Sequence, residues 1–324
     1  MKRSLWILGI VLCLCAVLAP AFLTFSVYSD RANTNPAITE TGGAGTIRFL
    51  FMGCDQSERL TDSIFLVTVR SDGAPVSILQ IPRDTYANYT QKDYKKLNGA
   101  WSTLGEQGIK SFFSRALGVS VDYFMVLNLK GFDRLIDAVG GIDLDIPQDM
   151  IYSDPAQDLE ISLHAGFNHL DGKMAEQFVR YRAGYPNADL GRMDAQKLFM
   201  QAFAKKLGTL SAAQTRRLLM VTLTTLQTDF PLPDAMRMLS AFGHGNGEQM
   251  RIATLPGQAV RGNSGAWYYA VNKSGACRAV NEYLYPSAPL SEDDFDPSGL
   301  FDRPGNQRFH AIYTAPEDAL PLGE

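Results

Sequence analysis

The residues best suited to chemistry lie where predicted strands end. Asp55 follows the first predicted strand directly, and Asp62 opens the second. Open sheets bind ligands where strand ends and loops converge, so adjacent strand ends would bring the two carboxylates within reach of one cation. Two carboxylates together with substrate phosphate oxygens commonly hold Mg²⁺. On spacing alone, turn formation or capping is the favoured role, because aspartate does both well.

Arginines shift this balance towards phosphate binding. Arg83 follows the third predicted strand, while Arg180 and Arg182 follow a predicted helix. Residues two apart share a face of an extended segment but not of a helix, and the sequence AGYP at 183–186 breaks any helix. We therefore expect Arg180 and Arg182 to point the same way from an extended stretch.

The next predicted helix adds a fourth arginine near its beginning. Asp189 lies near the N-cap, and Arg192 and Gln196, four residues apart, share a face of the first turns. Helix N-termini favour anions, and arginine forks bind phosphate through two hydrogen bonds. Any one of these arginines is more simply a solvated surface residue, but four around two carboxylates indicate an anion site.

Other segments leave alternatives open or carry no motif. The basic-polar sequence KKLNGA at 95–100 includes Lys96 and Asn98, and it fits an exposed loop as well as a phosphate-binding role. The sequence contains no Walker P-loop, HExxH or GxSxG motif, and its four histidines show no ligand spacing. A disulfide between Cys54 and Cys277 stays open, because sequence says nothing of their distance.

Composition narrows the class of protein. The chain has 324 residues, of which 46% are hydrophobic and 20% charged, and its formal net charge is −4. It is too apolar for a wholly disordered protein, and its length allows one large domain or two small ones. Nucleic-acid-binding proteins usually carry a basic surplus, so we expect no nucleic-acid partner.

Alternating strands and helices form the framework that must position these side chains. Predicted strands cover 46–52, 63–69, 75–81, 121–129, 142–146 and 250–255, and predicted helices cover 105–117, 131–139, 171–178, 192–207, 212–227 and 272–283. A hairpin-type turn at 71–73 joins two of the strands. Near-continuous apolar strands among helices predict an α/β/α sandwich with a central mixed β-sheet. The helix at 192–207 carries large apolar residues that can line a deep groove.

The N-terminus predicts the compartment. Lys2 and Arg3 precede an uncharged apolar stretch at 5–28, which as a helix would span about 36 Å, enough for a hydrocarbon core of roughly 30 Å. The positive-inside rule places the N-terminus in the cytoplasm and the rest of the chain outside. A cleaved signal peptide is the alternative, but the length of the stretch and Pro20 favour an uncleaved single-pass anchor.

Composition also divides the chain along its length. We expect a cytoplasmic stub and transmembrane anchor at 1–28, a polar linker at 29–45 and an extracellular catalytic domain at 46–286. The remainder, 287–324, is rich in proline and acidic residues and reads as a mobile or loosely packed tail.

Seven segments, in order and approximate spacing, resemble the LytR-CpsA-Psr family of cell-envelope proteins. They are FLFMGCD, TDSIFLVTV, SILQIPRDTY, KLNGAW, VDYFMVLNLKGFDRLIDAVGGIDLDIP, HLDGKMAEQFVRYR and DLGRMDAQKLF. The resemblance covers roughly 46–207. It implies a phosphotransferase that moves a glycopolymer (teichoic acid, capsule or another wall glycan) from a polyprenyl-pyrophosphate carrier to a peptidoglycan hydroxyl through a phosphodiester bond. It also implies a membrane location in the bacterial envelope and an apolar tunnel for the polyprenyl tail.

The resemblance assigns roles to the residues already singled out. It implies that Asp55 and Asp62 hold Mg²⁺, with Mn²⁺ as an alternative. By position, the residues implied to grip the pyrophosphate are Arg83, Arg180, Arg182 and Arg192, with Gln196 as a polar partner. Arg59 is a further candidate for this role. The expected catalytic set is Asp55, Asp62, Arg83, Arg180 and Arg182. Further candidates are Asp84 as the base for the acceptor hydroxyl, and Lys96, Asn98 and Asp189.

One departure from the family pattern concerns the loop between the two aspartates. The family usually has arginine two residues before the second metal aspartate, where this chain has Leu60, with Arg59 one residue earlier. Arg59 is a candidate substitute after a small loop shift. Ser63 also replaces a threonine.

Two other functions stay open at this point. The same site can act as a pyrophosphatase if water replaces the peptidoglycan hydroxyl. A non-enzymatic lipid-glycan binding protein would instead bind without turnover. The family's older description as transcriptional attenuators conflicts with an outside domain that lacks a basic DNA-reading helix.

Overall fold

The computed structural model describes residues 45–55, 59–70, 74–89, 95–155, 159–185, 189–231, 251–261, 266–295 and 300. The predicted anchor, the linker up to residue 44 and the turn at 71–73 lie outside these residues. No helix within the described ranges is long and apolar enough to cross a membrane. The described chain forms two compact units, a helical unit centred on Leu127–Leu226 and a sheet unit that contains most of the remainder.

A mixed sheet is the centre of the fold, as the sequence predicts, and it has six strands. Its strands are β1 (Thr46–Cys54), β2 (Thr61–Arg70), β3 (Ser77–Ile81), β4 (Tyr123–Asn128), β9 (Leu226–Thr228) and β10 (Arg251–Thr254). Their order is β10-β3-β2-β1-β4-β9. β1, β2 and β3 pair antiparallel, and β10 joins β3 in parallel. β3 (SILQI) is buried at every position, including the polar residues Ser77 and Gln80, as expected of a strand that is covered on both faces.

The helices agree with the predicted pattern, with shifted ends. They are α1 (Ala100–Leu117), α2 (Leu129–Val139), α3 (Gly172–Arg180), α4 (Asp189–Leu207), α5 (Ala212–Thr225) and α6 (Lys273–Tyr283). α1 begins five residues before its predicted start at Gly105, which is a non-helical residue (φ 65°, ψ −171°) and kinks the helix there. α2 ends as predicted at Gly140, whose left-handed backbone (φ 80°) suits glycine.

Short strands complete each unit. In the helical unit, β5 (Ile142–Ile146) pairs with β8 (Gly166–Leu170), and β6 (Met150–Asp154) pairs with β7 (Leu159–Leu163). β5 alternates buried and exposed side chains as predicted. In the sheet unit, β11 (Gly257–Arg261) pairs with β12 (Trp267–Val271). The sequence predicts β5, but it predicts none of β6, β7, β8, β9, β11 and β12. The predicted helix at 212–227 overlaps the first two residues of β9.

A buried arginine ties β1 to the end of α6. Arg48 donates hydrogen bonds from Nε to the Leu284 carbonyl (2.6 Å) and from Nη2 to the Tyr285 carbonyl (2.7 Å). Its backbone N–H donates to Asp122 Oδ2 at 2.7 Å. Burial raises the pKa of Asp122, although that hydrogen bond and the charge of Arg48 oppose the shift.

The first part of the predicted tail packs onto α6. Leu290 exchanges two hydrogen bonds with the Asn281 side chain, at 2.8 and 3.0 Å, and the Cys277 thiol donates to the Leu290 carbonyl at 3.1 Å. Phe295 is buried. The stretch at 287–295 is therefore folded rather than loose, and 301–324 lies outside the described residues.

Candidate functional site

A β-bulge places the two predicted metal aspartates at one end of the β1–β2 pair. Gly53 opposes Ser63, but Cys54 opposes Thr61, so Asp62 is the extra residue on β2. Bulges locally re-aim a side chain and often occur beside active sites. Asp55 directly follows β1, so the structure confirms that the two predicted strand ends meet.

Asp55 also organises the loop that joins the two strands. Its Oδ1 accepts hydrogen bonds from the backbone N–H groups of Arg59 (3.2 Å) and Leu60 (3.4 Å), and its own N–H donates to the Leu60 carbonyl (3.1 Å). The turn-forming role favoured by spacing is thus present. Arg59 and Leu60 are exposed on this loop. Whether Arg59 replaces the family arginine stays a prediction.

Asp62 forms an ion pair with Arg83, which brings together two residues predicted from sequence. Arg83 Nη1 donates to Asp62 Oδ1. The backbone of Asn98 bonds Arg83 and the residue before Asp62, because its N–H donates to the Arg83 carbonyl (3.0 Å) and its carbonyl accepts from Thr61 Oγ1 (3.3 Å). Hydrogen bonds therefore connect three segments of the chain at this ion pair, around Asp62, Arg83 and Asn98.

The segment around Asn98 is buried, so its interpretation as an exposed loop is wrong. Lys95 and Asn98 are buried, and Lys96 is half-buried beside Asp84, with 2.8 Å between Lys96 Nζ and Asp84 Oδ1. A short 3₁₀ turn at Leu97–Gly99 folds the segment back towards Arg83. Asp84, which follows Arg83 in the sequence, thus forms a second ion pair with Lys96. A phosphate-binding role for Lys96 and the base role of Asp84 stay predictions.

In the helical unit, Arg180 lies on a helix, so the predicted extended stretch is wrong for this residue. α3 continues to Arg180, and only Tyr181 turns to extended backbone (φ −60°, ψ 135°). Arg180 Nη1 donates to Glu176 Oε1 at 2.7 Å, four residues earlier, which stabilises the last helical turn. Arg182 is exposed beyond the helix end.

Glu176 belongs to a charged network that the sequence analysis missed. Lys173 Nζ lies 2.8 Å from both Glu176 Oε2 and Asp133 Oδ2. Burial raises the pKa of Glu176, but hydrogen bonds from Lys173 and Arg180 outweigh this effect and leave that pKa below its usual value. Burial also raises the pKa of Asp133, against the hydrogen bond from Lys173. The spacing of Lys173, Glu176 and Arg180 was the available signal for the α3 part of this network.

Arg192 and Gln196 are buried on α4, so a solvated surface position is wrong for Arg192, which is 4% exposed. Gln196 Nε2 donates to the Val179 carbonyl at 3.2 Å, which links α4 to the end of α3 beside Arg180. Asp189 is the first residue of α4, and its cap and side chain lie outside the description.

The comparisons decide the family. A family model described as the LytR_cpsA_psr family matches residues 25–283. The chain belongs to this family. A Bacillus cereus (strain ATCC 14579) protein named polyisoprenyl-teichoic acid–peptidoglycan teichoic acid transferase TagU is 26% identical over 311 residues, covering 87% of this chain and 97% of that protein.

Solved structures share the LytR_cpsA_psr fold with this chain. B. subtilis TagV is 22% identical with a TM-score of 0.62, and covers 74% of this chain and 97% of its own. A structure of TagT bound to LI-WTA is 21% identical with a TM-score of 0.60, and covers 79% and 96%. The resemblance inferred from short segments is therefore confirmed, well beyond the stretch at 46–207.

The donor set at the β1–β2 end fits a hard divalent cation. Asp55 and Asp62 offer carboxylate oxygens, and one oxygen of each is already oriented, by the loop N–H groups and by Arg83. Within the described ranges no group of three or more His, Cys, Asp or Glu side chains could hold a metal ion. Mg²⁺ would thus need substrate oxygens and water to complete its coordination. The structure shows no disulfide between Cys54 and Cys277.

Proposed function

We propose that this protein transfers a polyprenyl-pyrophosphate-linked glycopolymer to peptidoglycan through a phosphodiester bond. The Asp62–Arg83 ion pair beside Asp55 carries the proposal, because it places a cationic donor next to two candidate metal carboxylates. Membership of the LytR_cpsA_psr family and the relatives named teichoic acid transferases support it. The polymer class is a teichoic acid, a capsule or another wall glycan.

The proposed reaction is one displacement at phosphorus. The oxygen of a peptidoglycan hydroxyl bonds to the phosphorus attached to the glycan, and the bond from that phosphorus to the bridging oxygen breaks. Polyprenyl phosphate leaves with the bond electrons. The hydroxyl proton passes to a base, for which Asp84 is our candidate. Such reactions depend mainly on positioning and on neutralising charge.

The residues of the chain have matching proposed roles. Arg83, oriented by Asp62, donates to a phosphate oxygen, and such oriented donors stabilise charge as it develops. In the helical unit the proposed pyrophosphate donors are arginines supported by one amide: Arg180, Arg182, Arg192 and Gln196. Their forks suit phosphate oxygens better than single ammonium groups do.

Asp55 and Asp62 are the proposed metal ligands, with Mg²⁺ preferred and Mn²⁺ as the alternative. The bound ion would supply neutralisation of charge on the transferring phosphate. The backbone N–H groups that bond Asp55 and the guanidinium that bonds Asp62 orient the two carboxylates.

We further propose a single-pass membrane protein with its catalytic part outside the cytoplasm of a bacterial cell. The apolar segment at 5–28, preceded by Lys2 and Arg3, supports this placement. A lipid-linked donor would then lie in the same membrane, and peptidoglycan on the same side of it. The membrane, the donor and the acceptor are the proposed partners.

The test uses the full chain purified in detergent. It is incubated with a short polyprenyl-pyrophosphate saccharide and uncrosslinked peptidoglycan oligomers, with Mg²⁺ or with EDTA, and products are read by mass spectrometry. We expect a phosphodiester-linked glycan on peptidoglycan that disappears in EDTA. Free glycan phosphate without an adduct would instead indicate a pyrophosphatase. Tight lipid binding without turnover would indicate a binding protein.

A further inference from the structure

A chain of four charged side chains ends at Arg180. Asp133 of α2 bonds Lys173, Lys173 bonds Glu176, and Glu176 bonds Arg180, with N–O distances of 2.8, 2.8 and 2.7 Å. Lys173, Glu176 and Arg180 lie on one side of α3 because they are three and four residues apart. The network therefore joins α2 to the last residue of α3.

Glu176 is unusual within this network because it is charged yet only 5% exposed. A buried carboxylate is costly unless cations and hydrogen bonds compensate it. Lys173 and Arg180 both donate to it, one to each oxygen. Those two bonds hold the carboxylate at a fixed place, and it in turn holds the guanidinium of Arg180.

The backbone at Arg180 is fixed as well. Gln196 donates to the Val179 carbonyl (3.2 Å), and the Tyr181 N–H donates to the Gln177 carbonyl (3.0 Å). Both ends of the long Arg180 side chain are thus restrained. A restrained arginine loses less conformational freedom when it binds an anion, and preorganisation of this kind strengthens binding.

We infer that Glu176, itself held by Lys173, which Asp133 also bonds, is a positioning residue that orients Arg180 towards the pyrophosphate of the donor. This inference rests on the proposed function, in which Arg180 binds that pyrophosphate. Glu176 acts only through Arg180. Its loss therefore matters when Arg180 is present and has no effect on pyrophosphate binding when Arg180 is absent.

A double-mutant cycle on the full chain tests this dependence. The probe is farnesyl pyrophosphate, and the readout is its Kd by calorimetry for the wild type, Glu176→Ala, Arg180→Ala and the double variant. We expect Glu176→Ala to raise Kd about tenfold in the wild-type background and to leave it unchanged in the Arg180→Ala background. Glu176→Gln keeps an oxygen that can accept from Arg180, so it should recover most of the affinity.

Controls separate positioning from folding. Glu282 pairs with Arg251 on the sheet unit, so Glu282→Ala removes a more exposed glutamate–arginine pair and should leave Kd unchanged. A melting temperature for each variant identifies the folded proteins. Glu176→Met, which keeps the length of the side chain but has no oxygen to accept from Arg180, replaces Glu176→Ala in the cycle if the alanine variant fails to fold.

The remaining outcomes each overturn a defined part of the account. An equal rise of Kd in both backgrounds would show that Glu176 acts independently of Arg180. A fall of Kd in Glu176→Ala would show that Glu176 competes with the pyrophosphate for Arg180 rather than positioning Arg180 to bind it. No effect of Arg180→Ala on Kd would remove Arg180 from the proposed site, and the inference with it. No binding by the wild type would contradict the proposed function itself.

Discussion

Replacing Arg83 by alanine should separate activity from stability. The side chains of Arg83 and Asp62 are 17% and 35% exposed, so water already screens their ion pair. Ion pairs of this kind contribute about 1 kcal/mol or less to the free energy of unfolding. The backbone bond from Asn98 to the Arg83 carbonyl does not need the side chain and survives the change. The variant should therefore fold.

The effect on the transfer rate should be much larger. Removing one oriented donor to developing charge typically costs roughly 10²–10³-fold in rate, or about 2.7–4 kcal/mol. Arg83→Ala also leaves Asp62 without the guanidinium that orients it. We expect transfer to fall at least about 100-fold, while the free energy of unfolding falls by about 1 kcal/mol. Asp62→Ala should abolish transfer in the same way.

The assay compares initial rates of glycan attachment with urea unfolding curves for the same preparations. Arg251→Ala is the control, because Arg251 forms a charged pair with Glu282 away from the candidate site, with side chains that are 36% and 43% exposed. It should lose similar stability and keep full transfer. A wild-type rate of transfer in folded Arg83→Ala would remove Arg83 from the proposed site. A loss of rate that unfolding of the variant fully explains would show that the Asp62–Arg83 pair contributes more to stability than its exposure suggests.

Three further predictions concern stability. Gly172→Ala should lower the free energy of unfolding by about 2–3 kcal/mol, since a Cβ would lie 2.4 Å from the Asp133 carbonyl oxygen, and an unchanged urea midpoint would contradict this. Burial raises the pKa of Asp122, so this carboxylate binds a proton more readily in the folded protein than in the unfolded chain. As pH falls from 7 towards 4, the free energy of unfolding of the wild type should therefore rise relative to that of Asp122→Asn. A constant difference between the two proteins across that range would contradict this prediction. Phe167→Ser should change unfolding by no more than about 0.5 kcal/mol, because the ring is 77% exposed, whereas a larger loss would reveal a hidden contact.

Patterns set by local physics were predictable from the sequence. β1, β2 and β3 are near-continuous apolar strands because most of their positions on both faces are buried, and β5 alternates because one of its faces is exposed. Gly140 closes α2, and Asn272 caps α6 through its side-chain oxygen, which accepts from the Gly275 N–H at 2.6 Å. Each of these signals acts over one or two turns of chain.

Features that depend on distant contacts were not predictable. β6, β7 and β8 are short and alternate in exposure, and their pairing partners, rather than their own apolar content, define them. α3 reached Arg180 because Glu176 supplies a side-chain bond that a hydrophobic pattern cannot show. The burial of Arg192 and Asn98 likewise follows from packing, since both residue types are mostly exposed in proteins.

In the candidate site, too, some features were predictable from the sequence and others were not. The two aspartates and Arg83 could be selected because they follow strands, and the register of β1 with β2 brings Asp55 and Asp62 to one end. The bulge that makes Asp62 the extra residue left no mark in the sequence. Neither did the support that Asn98 gives to Arg83 through its backbone, because backbone bonds do not depend on residue type.

The most direct test of the central claim follows the phosphorus. The donor carries ¹⁸O in the non-bridging oxygens of the phosphate attached to the glycan, and muropeptides are analysed by mass spectrometry after reaction with the full chain and Mg²⁺. We predict that the label appears in a phosphodiester between glycan and peptidoglycan. Label found only in free glycan phosphate, or an unlabelled linkage, would contradict transfer by displacement at that phosphorus.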